Sequence, residues 1–379
     1  MRHNTSLYQS EPSQDAAQDR LYLPALDGLR FFAFLAVVFN HIDPTPSLPF
    51  LYTLYSRGWV GVELFFVLSA YLIFALFRIE YLKNGRIAVV DFFIRRLLRL
   101  YPLMIAAPLL FMLMKFPDFK VDAALTELRN IALFTNNLFW FGPLPRAIPF
   151  ASHLWTLSFE FQVYLFLPSA FLVYAALGHR RFFGVLAAVS IVCLAFRSWY
   201  ALSGVHYAYI YFSPVLRPDS ILIGIALALL ASHVRGHALL AAIALVVSAM
   251  AFFALPNLNV PGPTAVALYP AAAVMCGSIL WLSLNLQWAR RLLSSKAFVY
   301  LGKRSYGLYV FHVSAIALTK TYVLPSLSGV LEGPAQMFFT TLLASLGFTV
   351  GMAAASYRFF EKPFLRMKDK RAIILSRPF

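Results

Sequence analysis

The sequence predicts an all-α integral membrane protein: a bundle of about ten transmembrane helices around a cavity reaching both faces. Three observations lead there. Of 379 residues, 60% are hydrophobic and 13% charged, about half the charge fraction of a soluble domain. The apolar residues form continuous runs of about 18–25, the length of a spanning helix, without the alternation of a barrel strand. The excess of Lys and Arg, a net charge of +16, crowds into alternate short loops. That is the positive-inside distribution of a membrane protein, so no nucleic-acid partner is expected.

The runs are taken in order. Residues 1–20 are polar with no signal-peptide core and read as a disordered cytoplasmic tail. The first span, about 26–42, carries Arg30 and His41 eleven residues apart. Eleven steps of about 100° return to the same helix face, with a rise of roughly 16 Å. Ionisable groups in a membrane helix normally face a protein interior or a water-filled cavity. The second span, about 58–79, holds Glu63; the third, about 97–115, opens behind Arg95, Arg96 and Arg99. The long connection 116–152 lies outside, and its apolar, Asn-rich middle, 128–141, reads as a re-entrant or interfacial helix.

The fourth span, about 153–177, starts at His153 and Trp155 and carries Glu160; the fifth covers about 182–202. Arg217 and Asp219 open the sixth, about 215–233. Spans follow at about 237–255, 264–285, 305–323 (with His312) and 336–360, and residues 369–379 read as a second cytoplasmic tail. An even count puts both termini on one side. The loops richest in Lys and Arg, 80–96, 286–304 and 361–379, make that side cytoplasmic.

This topology sets depth. Arg30, Arg95, Arg96 and Arg99 fall in a cytoplasmic cationic layer, and His41, Glu63, Glu160, Asp219 and His312 in an outer one. Arg96 and Arg99, three apart, share a helix face and suit forked hydrogen bonds to phosphates. A neutral His beside a carboxylate suits removal of a hydroxyl proton. Each residue also has a plain structural reading. The arginines mark topology, Glu63 is a buried structural acid, Glu160 pairs with an Arg, His153 and Trp155 belong to an interfacial belt, His41 is interfacial at a helix end, and His312 packs. Cys193 and Cys276, inside apolar runs, read as core residues, and no metal site is expected.

At these residues the chain resembles the acyltransferase-3 family of bacterial integral membrane O-acyltransferases, over about residues 21–368. LPALDGLRFFAFLAVVFNH fits the family's opening signature, with its Arg-x10-His as Arg30 and His41. GWVGVELFFVLSAYLI resembles the second, with Glu63 where the family usually has Asp and Ala70 where it usually has Gly. FFIRRLLRLYP supplies Arg-x-x-Arg as Arg96 and Arg99, and HLWTLSFEFQVYLFLP supplies the acid as Glu160. RPDSILIGIALA, LGKRSYGLYVFH and FFEKPF resemble later blocks.

The resemblance implies transfer of an acyl group, most often acetyl, from cytoplasmic acyl-CoA to a hydroxyl, usually of a surface or lipid-linked carbohydrate. Some relatives act on small molecules such as macrolides. It implies a bacterial cytoplasmic membrane, acyl-CoA as donor substrate with no permanently bound cofactor, and the stand-alone form without an SGNH-type domain. On this reading His41 and Glu160 are catalytic, and Arg30, Arg95, Arg96 and Arg99 hold the CoA phosphates. Glu63, His153, Trp155, Asp219 and His312 support the site or touch the acceptor. Direct transfer and an acyl-His intermediate both stay open, and the oligomeric state is not given. The rival of another class is a transporter or flippase of a lipid-linked glycan.

Overall fold

Every regular element among the described residues is helical. The computed structural model describes residues 22–44, 48–115, 118–138, 147–231, 237–258 and 263–371. The expected tail 1–20, residues 139–141 of the expected re-entrant segment and residues 372–379 of the second tail lie outside the described residues.

In chain order the helices are α1 (Pro24–His41), α2 (Pro49–Arg57), α3 (Val60–Asn84), α4 (Val89–Met114), α5 (Val121–Ala132), α6 (Trp155–Leu202), α7 (Ala208–Tyr211) and α8 (Asp219–Leu230). They continue as α9 (Ala238–Ala254), α10 (Thr264–Asn285), α11 (Gln287–Leu293), α12 (Lys296–Lys303), α13 (Ser305–Leu318), α14 (Leu324–Ser326), α15 (Pro334–Ser356) and α16 (Lys362–Lys370). Short π-helical turns run α13 into α14 and α15 into α16.

Six helices among the described residues are long and apolar enough to cross a membrane: Val60–Asn84, Val89–Met114, Ser152–Leu202, Thr264–Asn285, Ser305–Ser326 and Pro334–Lys370. The difference from about ten has physical causes. The 18 residues of α1 are diluted by Asp27, Arg30 and His41. The apolar helices α8 and α9 have 12 and 17 residues. The 51 residues of Ser152–Leu202 would be roughly 75 Å long if straight, more than twice the hydrocarbon thickness. They break at Gly178, where φ 74° and ψ 174° leave the helical region. A residue with a Cβ is strained there, so the glycine divides the run in two.

Small residues let the backbones around α1 and α3 approach closely, as in other membrane helix pairs. A Cβ on Gly302 of α12 would stand 1.8 Å from the Asp27 carbonyl oxygen of α1. A Cβ on Gly224 of α8 would stand 2.8 Å from the Ala70 Cβ and 2.5 Å from the Val67 carbonyl oxygen of α3. At position 70, where the family usually has glycine, this chain has Ala70 and the glycine of the contact is Gly224 on the facing helix.

Among its described residues, the segment expected to be re-entrant is helical only to Ala132. Twelve residues rise about 18 Å, too little to cross. Beyond it Phe134 takes φ 55°, and the buried Asn137 amide donates to Gln162 Oε1 and to the Phe212 carbonyl, both at 3.0 Å. These bonds dock the turn on α6 and satisfy its polar groups internally.

Candidate active site

One face of α3 lines an open cavity, from Val62 through Ser69 to Glu80 at helical spacing. Phe92, Arg95, Arg96 and Arg99 of α4, Thr156, Glu160 and Tyr164 of α6, and Arg30 of α1 complete the wall with residues of α13 and α16. The structure thus brings together all four arginines expected to act jointly. Lys368 joins them, against the carboxylates of Glu80, Glu160 and Asp369. Arg30 pairs with Asp27 at 3.3 Å and Arg95 with Glu80 at 4.0 Å. Among the described residues, neither Arg96 nor Arg99 has a carboxylate at ion-pair distance. The Arg96 guanidinium lies over the rings of Phe92 and Tyr164 at 5.3 and 5.4 Å, and its Nε is buried without a partner. Guanidinium groups with unused donors inside an apolar bundle are costly. A phosphorylated ligand supplies the missing acceptors with the planar, forked geometry that arginine matches.

Glu160 belongs to this cavity. Its Oε1 accepts from Ser69 Oγ at 2.7 Å and from the Tyr164 hydroxyl. The sequence put it in an outer layer beside His41; the structure puts it among the arginines. Counting 1.5 Å per residue gives height along a helix but not the direction in which a side chain leaves it.

His41 meets different partners. Its ring centroid is 4.7 Å from that of His312, edge-on at 86°, and His312 is 4.7 Å from His153. Tyr309 touches both regions: it lines the cavity, and its ring lies 5.3 Å from His153 and 5.4 Å from His312. The Thr156 hydroxyl, also in the cavity wall, is 2.8 Å from the Tyr309 hydroxyl, which donates to the His153 carbonyl at 3.1 Å. His41, His153 and His312, expected as base and supporting residues, therefore stand together one ring away from the cavity.

Glu63, Asp219 and Trp155 form a third group. Arg217 pairs with Glu63, whose second oxygen accepts from Ser220 Oγ at 2.5 Å. Arg217 also lies over five rings, including Trp155 and Tyr211, at 4.3 to 5.7 Å. Asp219, which opens the sixth span with Arg217, takes two bonds from Arg197 at 2.5 and 3.1 Å. Sequence reasoning passed over Arg197, although a lone Arg in the apolar FRSWY stretch was a usable sign. It also missed Ser69, Thr156, Tyr164, Tyr309 and Lys368. Of these only Tyr164, one helical turn from Glu160, had a readable spacing.

The acyltransferase-3 family model, described as an acyltransferase domain, matches residues 23–358. The chain is 28% identical over 376 residues to a "Putative O-acetyltransferase" of Staphylococcus aureus (strain COL), covering 90% of this chain and 57% of that one. It is 27% identical over 389 residues to the O-acetyltransferase OatA of Staphylococcus aureus (strain NCTC 8325 / PS 47), covering 93% of this chain and 58% of that one. The chain thus spans a little over half the length of the curated relatives it matches. No solved structure matches it.

Proposed function

This chain belongs to the acyltransferase-3 family, and from that premise we propose that it is a membrane O-acyltransferase. It moves an acyl group, acetyl in the first instance, from cytoplasmic acyl-CoA to a hydroxyl of a cell-surface or lipid-linked carbohydrate. The observation that carries the donor assignment is the pair Arg96 and Arg99, which share a cavity with Arg30, Arg95 and Lys368 and have no ion-pair carboxylate among the described residues. The CoA phosphates sit on these groups. The thioester arm follows the apolar wall of α3 toward Thr156 and Tyr309, and Glu160 acts through Tyr164, whose ring lies under the Arg96 guanidinium, rather than on His41.

His41 Nε2 takes the proton of the acceptor hydroxyl while that oxygen attacks the thioester carbonyl carbon. The carbon–sulfur bond breaks, and the CoA thiolate leaves and takes up the proton. The accompanying topology is ten crossings of a bacterial cytoplasmic membrane with both termini inside. It counts α1, the two arms of α6, α8 and α9 with the remaining long helices.

The test is mass analysis of cell-surface glycans from strains with the gene intact, deleted, or carrying His41→Ala. Acyl-sized increments present only with the intact gene are the expected result. Unchanged glycan masses with altered glycan export would overturn it in favour of a transporter, and acylation confined to a small molecule would overturn the carbohydrate acceptor.

A further inference from the structure

The arginine cavity and the histidine cluster meet at Tyr309. It lines the cavity, and its ring lies 5.3 Å from His153 and 5.4 Å from His312, which stands 4.7 Å from His41. A thioester delivered through the cavity and a base at His41 share a reacting carbon only beside this ring. Phe65, edge-on at 6.2 Å, fixes the ring from another side. Thr156, also in the cavity wall, donates to the Tyr309 hydroxyl at 2.8 Å, and that hydroxyl donates to the His153 carbonyl at 3.1 Å. The Thr156 hydroxyl is itself 3.2 Å from the same carbonyl. Two hydroxyls carry two hydrogens: one joins them to each other and one is left for the carbonyl. Both carbonyl distances are longer than the usual O–H···O bond of about 2.5–3.0 Å. The carbonyl also accepts from the Trp155 backbone N–H, so it keeps a partner when a hydroxyl turns away. Other cavity hydroxyls are committed, Ser69 and Tyr164 to Glu160 and Tyr306 to the Leu100 carbonyl. Thr156 and Tyr309 are thus loosely held donors at the junction of the two regions.

We infer that the Tyr309 and Thr156 hydroxyls form the oxyanion site, donating to the carbonyl oxygen of the acyl thioester. The inference rests on the acyltransferase reading above. Two oxygens 2.8 Å apart both reach a third oxygen at the apex of a nearly equilateral triangle, about 2.7–2.8 Å from each. When the acceptor hydroxyl attacks the thioester carbon and gives its proton to His41, one electron pair of the C=O bond moves onto the carbonyl oxygen. The two hydroxyls turn to that charge, in a bundle interior where aimed donors count for more than in water. When the pair returns, the carbon–sulfur bond breaks and the thiolate leaves with the proton from His41. The hydroxyls then fall back on each other and on the His153 carbonyl.

Tyr309→Phe and Thr156→Val each delete one hydroxyl at nearly constant volume, and Thr156→Ser keeps the donor. The first measurement is acetyl transfer from acetyl-CoA to endogenous acceptor in membrane vesicles, at matched amounts of folded protein. Tyr309→Phe and Thr156→Val are expected to lower kcat about 100-fold, the usual cost of one oxyanion donor. The KM for acetyl-CoA stays close to wild type, because the lost bond is strong only in the transition state, and Thr156→Ser transfers at close to the wild-type rate. A structural tie to the His153 carbonyl also affects rate, so the second measurement reads the donated bond itself. Acetyl-CoA isotope-labelled in its thioester carbonyl is bound to the His41→Ala protein, which does not turn it over. Its carbonyl stretch is recorded by isotope-edited infrared difference spectroscopy. The band is expected below its position in water and moves back up when Tyr309→Phe or Thr156→Val is added. A bound thioester whose band neither variant moves, or rates that neither variant lowers, would overturn the inference while leaving the acyltransferase reading intact. Wild-type vesicles without His41-dependent transfer would overturn both.

Discussion

Two sets of arginines lie within the bundle, and what separates them is the company each keeps. Arg197 and Arg217 are each 1% exposed and each paired, with Asp219 and Glu63. Arg217 is wrapped by aromatic rings, and Arg197 also donates to the Leu216 and Val266 carbonyls. Arg96 and Arg99 line an open cavity without a carboxylate at ion-pair distance among the described residues. A guanidinium in an apolar surround needs a counter-charge. Where the fold supplies it, the arginine is part of the architecture. Where it does not, the proposed function takes the counter-charge from a ligand. The same residue type in the same protein thus has two fates, told apart by neutralisation rather than by burial.

The comparison fails first if the paired set proves dispensable. Glu63→Ala leaves Arg217 buried without its counter-charge, and breaking such a pair costs about 3–5 kcal/mol. Thermal unfolding in detergent should show a large fall in midpoint or no recoverable folded protein. Adding Arg217→Met should restore much of the loss, because an apolar replacement of a buried pair is tolerated better than half of one. An unchanged midpoint for Glu63→Ala would remove the distinction. Arg99→Ala is the opposite case. Its unfolding midpoint should match wild type, while the KM for acetyl-CoA rises about 10- to 100-fold, the equivalent of one charge-assisted hydrogen bond of about 1.5–3 kcal/mol. A folding defect with unchanged KM would place Arg99 in the architectural set.

Much of the helical organisation was legible because hydropathy and loop charge are one-dimensional signals. The two apolar arms of α6 were read separately, and Gly178 divides them. The four arginines read as one layer line one cavity, since Arg96 and Arg99 share a helix face and Arg30 faces the same interior. The acids read as one layer do not stand together. Glu160, Glu63 and Asp219 were assigned by height to one outer layer, yet Glu160 faces the cavity and the other two belong to Arg217 and Arg197. Partner choice depends on how neighbouring helices are rotated, and rotation is set by contacts such as Gly302 on Asp27 and Gly224 on Ala70, distant in sequence. The histidine cluster was illegible for the same reason: His41, His153 and His312 lie on three separate segments.

A smaller effect grades the paired set internally. Asp219→Asn removes a charge from Arg197 but leaves its bonds to the Leu216 and Val266 carbonyls, both at 3.2 Å. The expected loss, about 1–2 kcal/mol, is well below that of Glu63→Ala and reads as a modest drop in unfolding midpoint. Equal losses at the two positions would mean that the carbonyls around Arg197 count for nothing.

The smallest effect probes the cavity set where it touches a carboxylate. Tyr164 has two contacts with different chemistry: its ring lies under the Arg96 guanidinium at 5.4 Å, and its hydroxyl donates to Glu160. Tyr164→Phe keeps the first and deletes the second, while Ser69 still donates to the same carboxylate at 2.7 Å. If Glu160 acts by holding Tyr164 under the Arg96 guanidinium, the loss is one hydrogen bond of about 1 kcal/mol. That corresponds to a few-fold rise in the KM for acetyl-CoA, with kcat and unfolding midpoint close to wild type. A collapse of kcat instead would show that the Tyr164–Glu160 bond serves the chemical step, and would move Glu160 from the donor cavity to the machinery around His41. The split between KM and kcat in this one variant therefore decides whether the arginine cavity and the histidine cluster act as separate donor and base sites or as one.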